Sequence, residues 1–144
     1  MALIKRTISV FAICFFALSI FLAVPGVASE NKVIAYYFHG NSRCPTCHKL
    51  EEYSKDAIDT NFKDEIAKGV LEFQVINVDE KRNEHFVDKY QLYTKSLVVS
   101  KMKNGEEVDH KNLDKIWEYV RDKERFYDYV TSEIKAFLKD MGNA

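Results

Sequence analysis

Cys44-Pro45-Thr46-Cys47 marks the point in this 144-residue chain where an apolar run ends and a helical pattern begins. The apolar run, residues 32–38 (KVIAYYF), is rich in β-branched and aromatic residues, which predicts a buried strand. Residues 39–43 (HGNSR) have the composition of a turn. Helical spacing of apolar residues then predicts a helix over residues 44–68, with Gly69 as its stop. A C-x-x-C motif between a strand and a helix indicates thiol redox chemistry.

The two cysteines are predicted to have different roles. Thiolates attack disulfides, and the unpaired N–H groups and dipole of a helix N-terminus favour an anion at Cys44. Arg43 adds a neighbouring cation, and Pro45 suits a first helical turn because it has no N–H to leave unpaired. Pro45 and Thr46 also tune the reduction potential. We expect Cys44 to be the nucleophile and Cys47, one turn behind it, to be the resolving thiol.

The composition indicates one ordinary globular domain. Apolar residues make up 47% of the chain and charged residues 30%, with a net charge of −1. This balance gives no reason to expect nucleic acid or an anionic membrane surface as a partner.

Residues 1–29 are predicted to be a cleaved signal peptide. Lys5 and Arg6 precede an apolar run over residues 8–24, and small residues follow at 27–29. Cleavage would export the domain to the periplasm or another extracytoplasmic compartment, where disulfides persist. The alternative is a retained N-terminal membrane anchor, for which the apolar run is just long enough.

The cysteine count restricts the chemistry. The chain has three cysteines, and removal of the leader, which contains Cys14, leaves only Cys44 and Cys47. This excludes a scaffold of several disulfides, a four-cysteine zinc site and an iron–sulfur cluster held by one chain. The two thiols must pair with each other, with a partner protein, or with a metal that has other ligands.

The rest of the chain predicts a layered α/β domain. The predicted elements are a strand over residues 71–78, a helix over residues 80–91 capped by Asp79, a strand over residues 96–102, a hairpin turn at Asn104-Gly105, an edge strand over residues 106–110, and a last helix from Asn112 or Asp114 to Met141 with a break near residues 121–125. The order βαβαββα predicts a mixed four-stranded sheet with helices on both faces, formed by residues 30–144.

Several segments resemble the thioredoxin fold. They are residues 33–38 leading into the motif, residues 75–79, residues 90–92 and residues 103–106. More closely, residues 37–54 (YFHGNSRCPTCHKLEEYS) are similar to the small exported family labelled nitrophenyl compound nitroreductase subunit ArsF. The sequence shows no flavin or nicotinamide site.

The resemblance implies a thioredoxin-like thiol–disulfide oxidoreductase. Its Cys44/Cys47 dithiol would exchange with protein thiols or disulfides, a membrane redox partner among them. It implies no cofactor beyond the redox-active disulfide, and it leaves the oligomeric state open.

Two features depart from the thioredoxin pattern. Thioredoxins carry a cis-proline ahead of the third strand, whereas here Ser96 takes that place, so we expect a trans peptide and a changed substrate groove. Thioredoxins also bury an acid on the first strand as a proton acceptor for the resolving cysteine, but residues 31–50 contain no Asp or Glu. Tyr36, Tyr37, His39 or water would have to substitute.

Three other uses of the motif stay open. Cys44-x-x-Cys47-His48 matches the c-type haem attachment motif. A metal carrier of the same fold would hold copper or zinc through Cys44 and Cys47 with His39 or His48, because thiolates suit copper(I) and zinc. A purely structural disulfide is the third use, although so short a loop stabilises a fold little. His39 and His48 can also act only as groups that tune the dithiol.

Three further side chains are predicted to have no part in the site. Trp117 falls on the apolar stripe of the predicted last helix, which predicts core packing. His85 and His110 are predicted to lie on solvated surface, one on a helix and one on the edge strand.

Overall fold

The computed structural model describes residues 31–142, so the predicted leader or anchor lies outside the described residues. The elements are, in chain order, β1 (Lys32–His39), α1 (Pro45–Asn61), α2 (Lys63–Ala67), β2 (Leu71–Asn77), α3 (His85–Tyr90), β3 (Ser96–Lys103), β4 (Glu106–Asn112), α4 (Ile116–Tyr119) and α5 (Lys123–Gly142). Among residues 31–142, none of the helices combines the length and the apolar character that a membrane crossing requires.

The strands form one four-stranded sheet in the order β2-β1-β3-β4. β1 runs parallel to β2 and antiparallel to β3, and β3 and β4 form the predicted hairpin. Asn104 and Gly105 have positive φ (52° and 81°), the conformation that an Asn-Gly hairpin turn requires. The predicted mixed sheet and thioredoxin-like α/β fold are confirmed.

Apolar layers cover both faces of the sheet, as predicted. Val33 and Tyr37 of β1 are fully buried in the larger core, which α1 and α5 complete. On the opposite face Phe38 and Val98 pack with Tyr90 of α3 in a smaller cluster. The continuous apolar run of β1 follows from this position, because a central strand covered on both faces buries successive side chains.

The first helix is shorter than predicted. It ends at Asn61 instead of reaching residue 68, because Phe62 leaves the helical conformation (φ −132°, ψ 33°) and buries its ring, leaving only 1% exposed. The separate helix α2 follows. Gly69 ends the helical segment as predicted, in the left-handed conformation at φ +70°.

The predicted helix over residues 80–91 is wrong in its length and in its cap. A 3₁₀ turn (Lys81–Asn83) comes first, and α3 contains only six residues. Asp79 does not cap either element, because its carboxylate accepts the backbone N–H of Asn41 at 2.7 Å. The side chain of Asp79 is therefore committed to the loop that follows β1.

The predicted break in the last helical region is confirmed. The predicted core position of Trp117 is wrong. Asp122 caps α5 by accepting the N–H of Arg125 at 3.1 Å, which separates α5 from α4. Trp117 lies on α4 with 37% of its surface exposed. Its indole N–H donates to the carbonyl of Lys95 at 2.9 Å, so the ring lies against the loop before β3 rather than in the core.

β4 forms one edge of the sheet and continues past its predicted end at residue 110 to Asn112. Its side chains are exposed or half-buried along the whole strand. A register shift between Lys101 and Met102 of β3 places an irregularity in the ladder beside it.

Candidate active site

Cys44 and Cys47 are joined by a disulfide at the N-terminus of α1. Cys44 is the N-cap residue, with extended backbone (φ −93°, ψ 163°), and its Sγ accepts the N–H of Cys47 at 3.2 Å. Cys44 is exposed, whereas Cys47 is only 3% exposed. The motif thus has one exposed cysteine at the tip of α1 and one buried cysteine behind it.

The start of α1 favours negative charge on the outer sulfur. Pro45 occupies the first turn, where its missing N–H leaves nothing unpaired. The N–H of His48 donates to the carbonyl of Cys44 at 3.1 Å and closes that turn. No acidic residue lies in the first turn of α1, so nothing there opposes the positive end of the helix dipole.

Arg43 reaches an acid that the sequence analysis missed. Its guanidinium forms a salt bridge with Glu51, one helical turn beyond Cys47 in α1. The Arg43 Nε is buried without a hydrogen-bond partner among the described residues. The cation beside Cys44 is therefore held in place and partly neutralised by Glu51. Their eight-residue separation matches no local pairing rule, so only the folded loop brings them together.

Tyr37 contacts the backbone of the resolving cysteine. Its hydroxyl donates to the carbonyl of Cys47 at 2.7 Å. Burial raises the pKa of Tyr37 well above its usual value, with a contribution from the Glu51 charge, while Arg43 opposes the shift. Tyr37 therefore stays protonated and acts as a fixed donor. Tyr37 is one of the groups predicted to accept the proton of the resolving cysteine in place of a buried acid. As a protonated donor, it cannot accept that proton.

His39 and His48, the two histidines near the motif, have different surroundings. His39 is half-buried, with Nδ1 3.0 Å from the carbonyl oxygen of Gly40. His48 and Thr46 are exposed on α1. Within the described part of the chain, no group of three or more His, Cys, Asp or Glu side chains is arranged to hold a metal ion.

Ser96 lies where the sequence predicted it, at the start of β3. It pairs with Phe38 of β1, is 4% exposed, and its hydroxyl donates to the carbonyl of Thr94 at 3.0 Å. The expected trans geometry is confirmed, since no cis peptide bond occurs among residues 31–142. The hydroxyl is turned back onto its own loop.

A second set of missed residues fixes the loop between β1 and Cys44. Besides accepting the Asn41 N–H, Asp79 packs against Gly40, and a Cβ on Gly40 would lie 2.8 Å from Asp79 Oδ2. Asn77 donates from its side-chain amide to Asn41 Oδ1 at 2.8 Å. The end of β2 thereby holds the loop that presents Cys44. The sequence signal for this contact is an Asp directly after a strand, a position that equally fits the predicted helix cap.

A groove of about 490 Å³ opens beside the motif. It is lined by Thr46, Lys49, Trp117, Glu118, Val120 and Arg121. One wall therefore comes from the start of α1 and the other from α4 and the turn after it. A smaller pocket of about 220 Å³ is lined by residues of the loop that precedes Cys44 and by residues near the ends of β2 and α3, among them Gly40, Ser42, Asp79 and Tyr93.

Comparisons with known proteins find likeness only at the level of structure. No family model matches the sequence, and no curated protein matches it. The chain is similar to the thioredoxin of Malassezia sympodialis at 18% identity and a TM-score of 0.41, covering 67% of this chain and 79% of the other. For Fasciola hepatica thioredoxin the identity is 23% and the TM-score 0.39, with coverage of 65% and 82%. For Trypanosoma brucei brucei thioredoxin the identity is 14% and the TM-score 0.39, and the match covers 75% of this chain and 79% of the other.

The fold assignment rests on the strand order and pairing described above. The finer resemblance to the ArsF family has no counterpart among these matches and stays a prediction. Chemically, the site offers a disulfide with one exposed cysteine at a helix N-terminus, and a groove whose lining includes Thr46 of the motif.

Proposed function

We propose that the chain is an exported thiol–disulfide oxidoreductase that exchanges the Cys44/Cys47 dithiol with disulfides of partner proteins. The observation that carries the proposal is the exposed Cys44 at the tip of α1, whose Sγ accepts the Cys47 N–H at 3.2 Å. A thiolate there is stabilised by that N–H and by the helix dipole, and it is the species that attacks disulfides.

The reaction proceeds through a mixed disulfide. In the reduced chain the Cys44 thiolate attacks one sulfur of a partner disulfide, and the other partner sulfur leaves as a thiolate that takes up a proton. Cys47, deprotonated, then attacks the Cys44 sulfur and displaces the partner's second sulfur, which also becomes a thiol. Two electrons and two protons pass from the dithiol to the partner. The reverse sequence oxidises a partner dithiol.

The neighbouring residues support this division of roles. Tyr37 fixes the backbone of Cys47 beneath Cys44, and Arg43, balanced by Glu51, supplies a neighbouring cation. Pro45, Thr46, His39 and His48 are the proposed tuning groups. Ser96 at the start of β3 is the proposed border of the substrate groove.

Export belongs to the proposal as well. The basic pair and apolar run within residues 1–29 support secretion to the periplasm or another extracytoplasmic space, with an N-terminal membrane anchor as the alternative. The similarity of residues 37–54 supports membership of the ArsF family. The proposed partners are protein thiols or disulfides, including a membrane redox protein.

Trapping of mixed disulfides tests the exchange. In Cys47→Ser the second step cannot occur, so covalent complexes through Cys44 should accumulate with a model protein disulfide such as insulin. Cys44→Ser is the matched control and should trap no partner. A redox titration of the wild type should show one reversible two-electron couple. Trapping that is equally efficient in both variants, or through Cys47 alone, would overturn the proposed roles.

A further inference from the structure

The groove beside the disulfide lies between the start of α1 and α4 with the turn after it. Thr46, between the two cysteines, lines it, so its occupant lies next to the reactive sulfur. Trp117 forms part of the opposite wall with 37% of its surface exposed, and its indole N–H is satisfied by the Lys95 carbonyl. The ring is therefore fixed with an apolar face available. Fixed, partly exposed aromatic side chains are preferred anchors at protein interfaces.

The charged residues of the groove are biased toward one sign. Lys49 and Arg121 line it, and neither forms an ion pair with another residue of the described range 31–142. Lys49 instead lies over the ring of Tyr53, 5.5 Å from its centroid. The one acid in the lining, Glu118, faces Arg125 at 3.7 Å. The groove thus presents two cations that have no ion-pair partner among the described residues, and one acid that faces a third cation, on a chain whose net charge is −1.

We propose that this groove selects partner proteins whose reactive disulfide is flanked by acidic residues. The partner's carboxylates pair with Lys49 and Arg121 while its backbone and apolar side chains pack on Trp117. This inference rests on the proposed exchange function and adds to it the class of partner. Complementary charge at such a rim acts mainly on the rate of encounter and is weakened by salt.

Peptide disulfides of opposite charge test the inference. Three peptides differ only in the residues on either side of one cysteine, which are Glu, Gln or Lys, and each cysteine is joined to a chromogenic leaving thiol. The rate with the reduced protein is divided by the rate with dithiothreitol, which removes each peptide's intrinsic reactivity. At low ionic strength the normalised Glu-to-Lys rate ratio should be about fivefold or more, and it should approach one in about 0.5 M salt.

Charge reversal in the groove supplies the decisive comparison. The double variant Lys49→Glu/Arg121→Glu should bring the normalised Glu-to-Lys ratio below one. Lys135→Glu, which reverses an exposed charge on α5 outside the groove, should leave the ratio at its wild-type value. The ratio is taken within each variant, so any change in reduction potential cancels.

The outcomes separate the two levels of the proposal. If the wild type reacts with all three peptides at equal normalised rates, or if charge reversal leaves the ratio unchanged, the partner class is wrong and the exchange function stands. If the reduced wild type reacts with no peptide, the exchange function fails and the inference with it.

Discussion

Gly40→Ala tests how the end of β2 holds the loop that carries Cys44. The backbone at Gly40 does not require glycine, since the positive-φ glycines among the described residues are Gly69 and Gly105. The obstacle is Asp79, because an added Cβ would lie 2.8 Å from its Oδ2 and 3.3 Å from its Cγ. Asp79 must therefore shift, and we expect it to give up the hydrogen bond that it accepts from the Asn41 N–H.

The size of the effect follows from two opposing contributions. Loss of a hydrogen bond to a charged acceptor at an exposed site costs about 1.5 kcal/mol. Replacing glycine by alanine restricts the unfolded chain, which raises the unfolding free energy by about 0.5 kcal/mol. The oxidised protein should therefore lose about 1 kcal/mol of unfolding free energy in urea, measured from the shift of the midpoint at constant slope.

A double-mutant cycle with Asp79→Ala makes this reasoning refutable. Once the carboxylate is absent, the collision is absent too, so Gly40→Ala should stabilise the Asp79→Ala protein by about 0.5 kcal/mol. Asp79→Asn is the matched control, because its side-chain oxygen can still accept the Asn41 N–H, and Gly40→Ala should remain destabilising in it. Equal effects of Gly40→Ala in the wild type and in Asp79→Ala would show that the contact does not hold the loop.

Two further predictions concern single contacts. Tyr37→Phe removes the buried donor to the Cys47 carbonyl and should lower the unfolding free energy by about 1 kcal/mol in urea; an unchanged value would contradict the described hydrogen bond. Burial opposes ionisation of Glu107, but hydrogen bonds from Ser100 and Tyr90, together with the hydrogen bond and charge of Lys89, outweigh it and lower the pKa of Glu107 below 4.5. The resulting stability is present above pH 4.5 and is lost as pH falls through the lowered pKa, so Glu107→Gln should show a shallower acid-induced loss than wild type.

The sequence predicted those features that depend on local pattern. The continuous apolar run of β1, the motif at the head of α1 and the Asn-Gly turn each carry their own signal, and all three lie where expected. The broad order of strands and helices followed from these signals and from the rules that connect them.

The remaining features depend on contacts between distant parts of the chain. α1 ends before Phe62 because that residue leaves the helical conformation and buries its ring in the core. Helical periodicity alone cannot predict this end. The position of Asp79 after a strand predicts a helix cap, but the loop after β1, which is distant in sequence, takes the same carboxylate. Trp117 fits an apolar stripe, yet the break before α5 places it beside the motif. In each case the local pattern predicts a local role, whereas a residue distant in sequence determines the contact that forms.

The unpaired edge of β4 affects how copies of this protein can associate. A strand with an unpaired side invites a second sheet to extend it, and charged residues and a disturbed ladder discourage that extension. β4 has both, with glutamates, an aspartate and a lysine along Glu106–Asn112 and the irregularity next to it in β3. The charges and the irregularity thus discourage copies of the molecule from adding strand to strand along this side of the sheet.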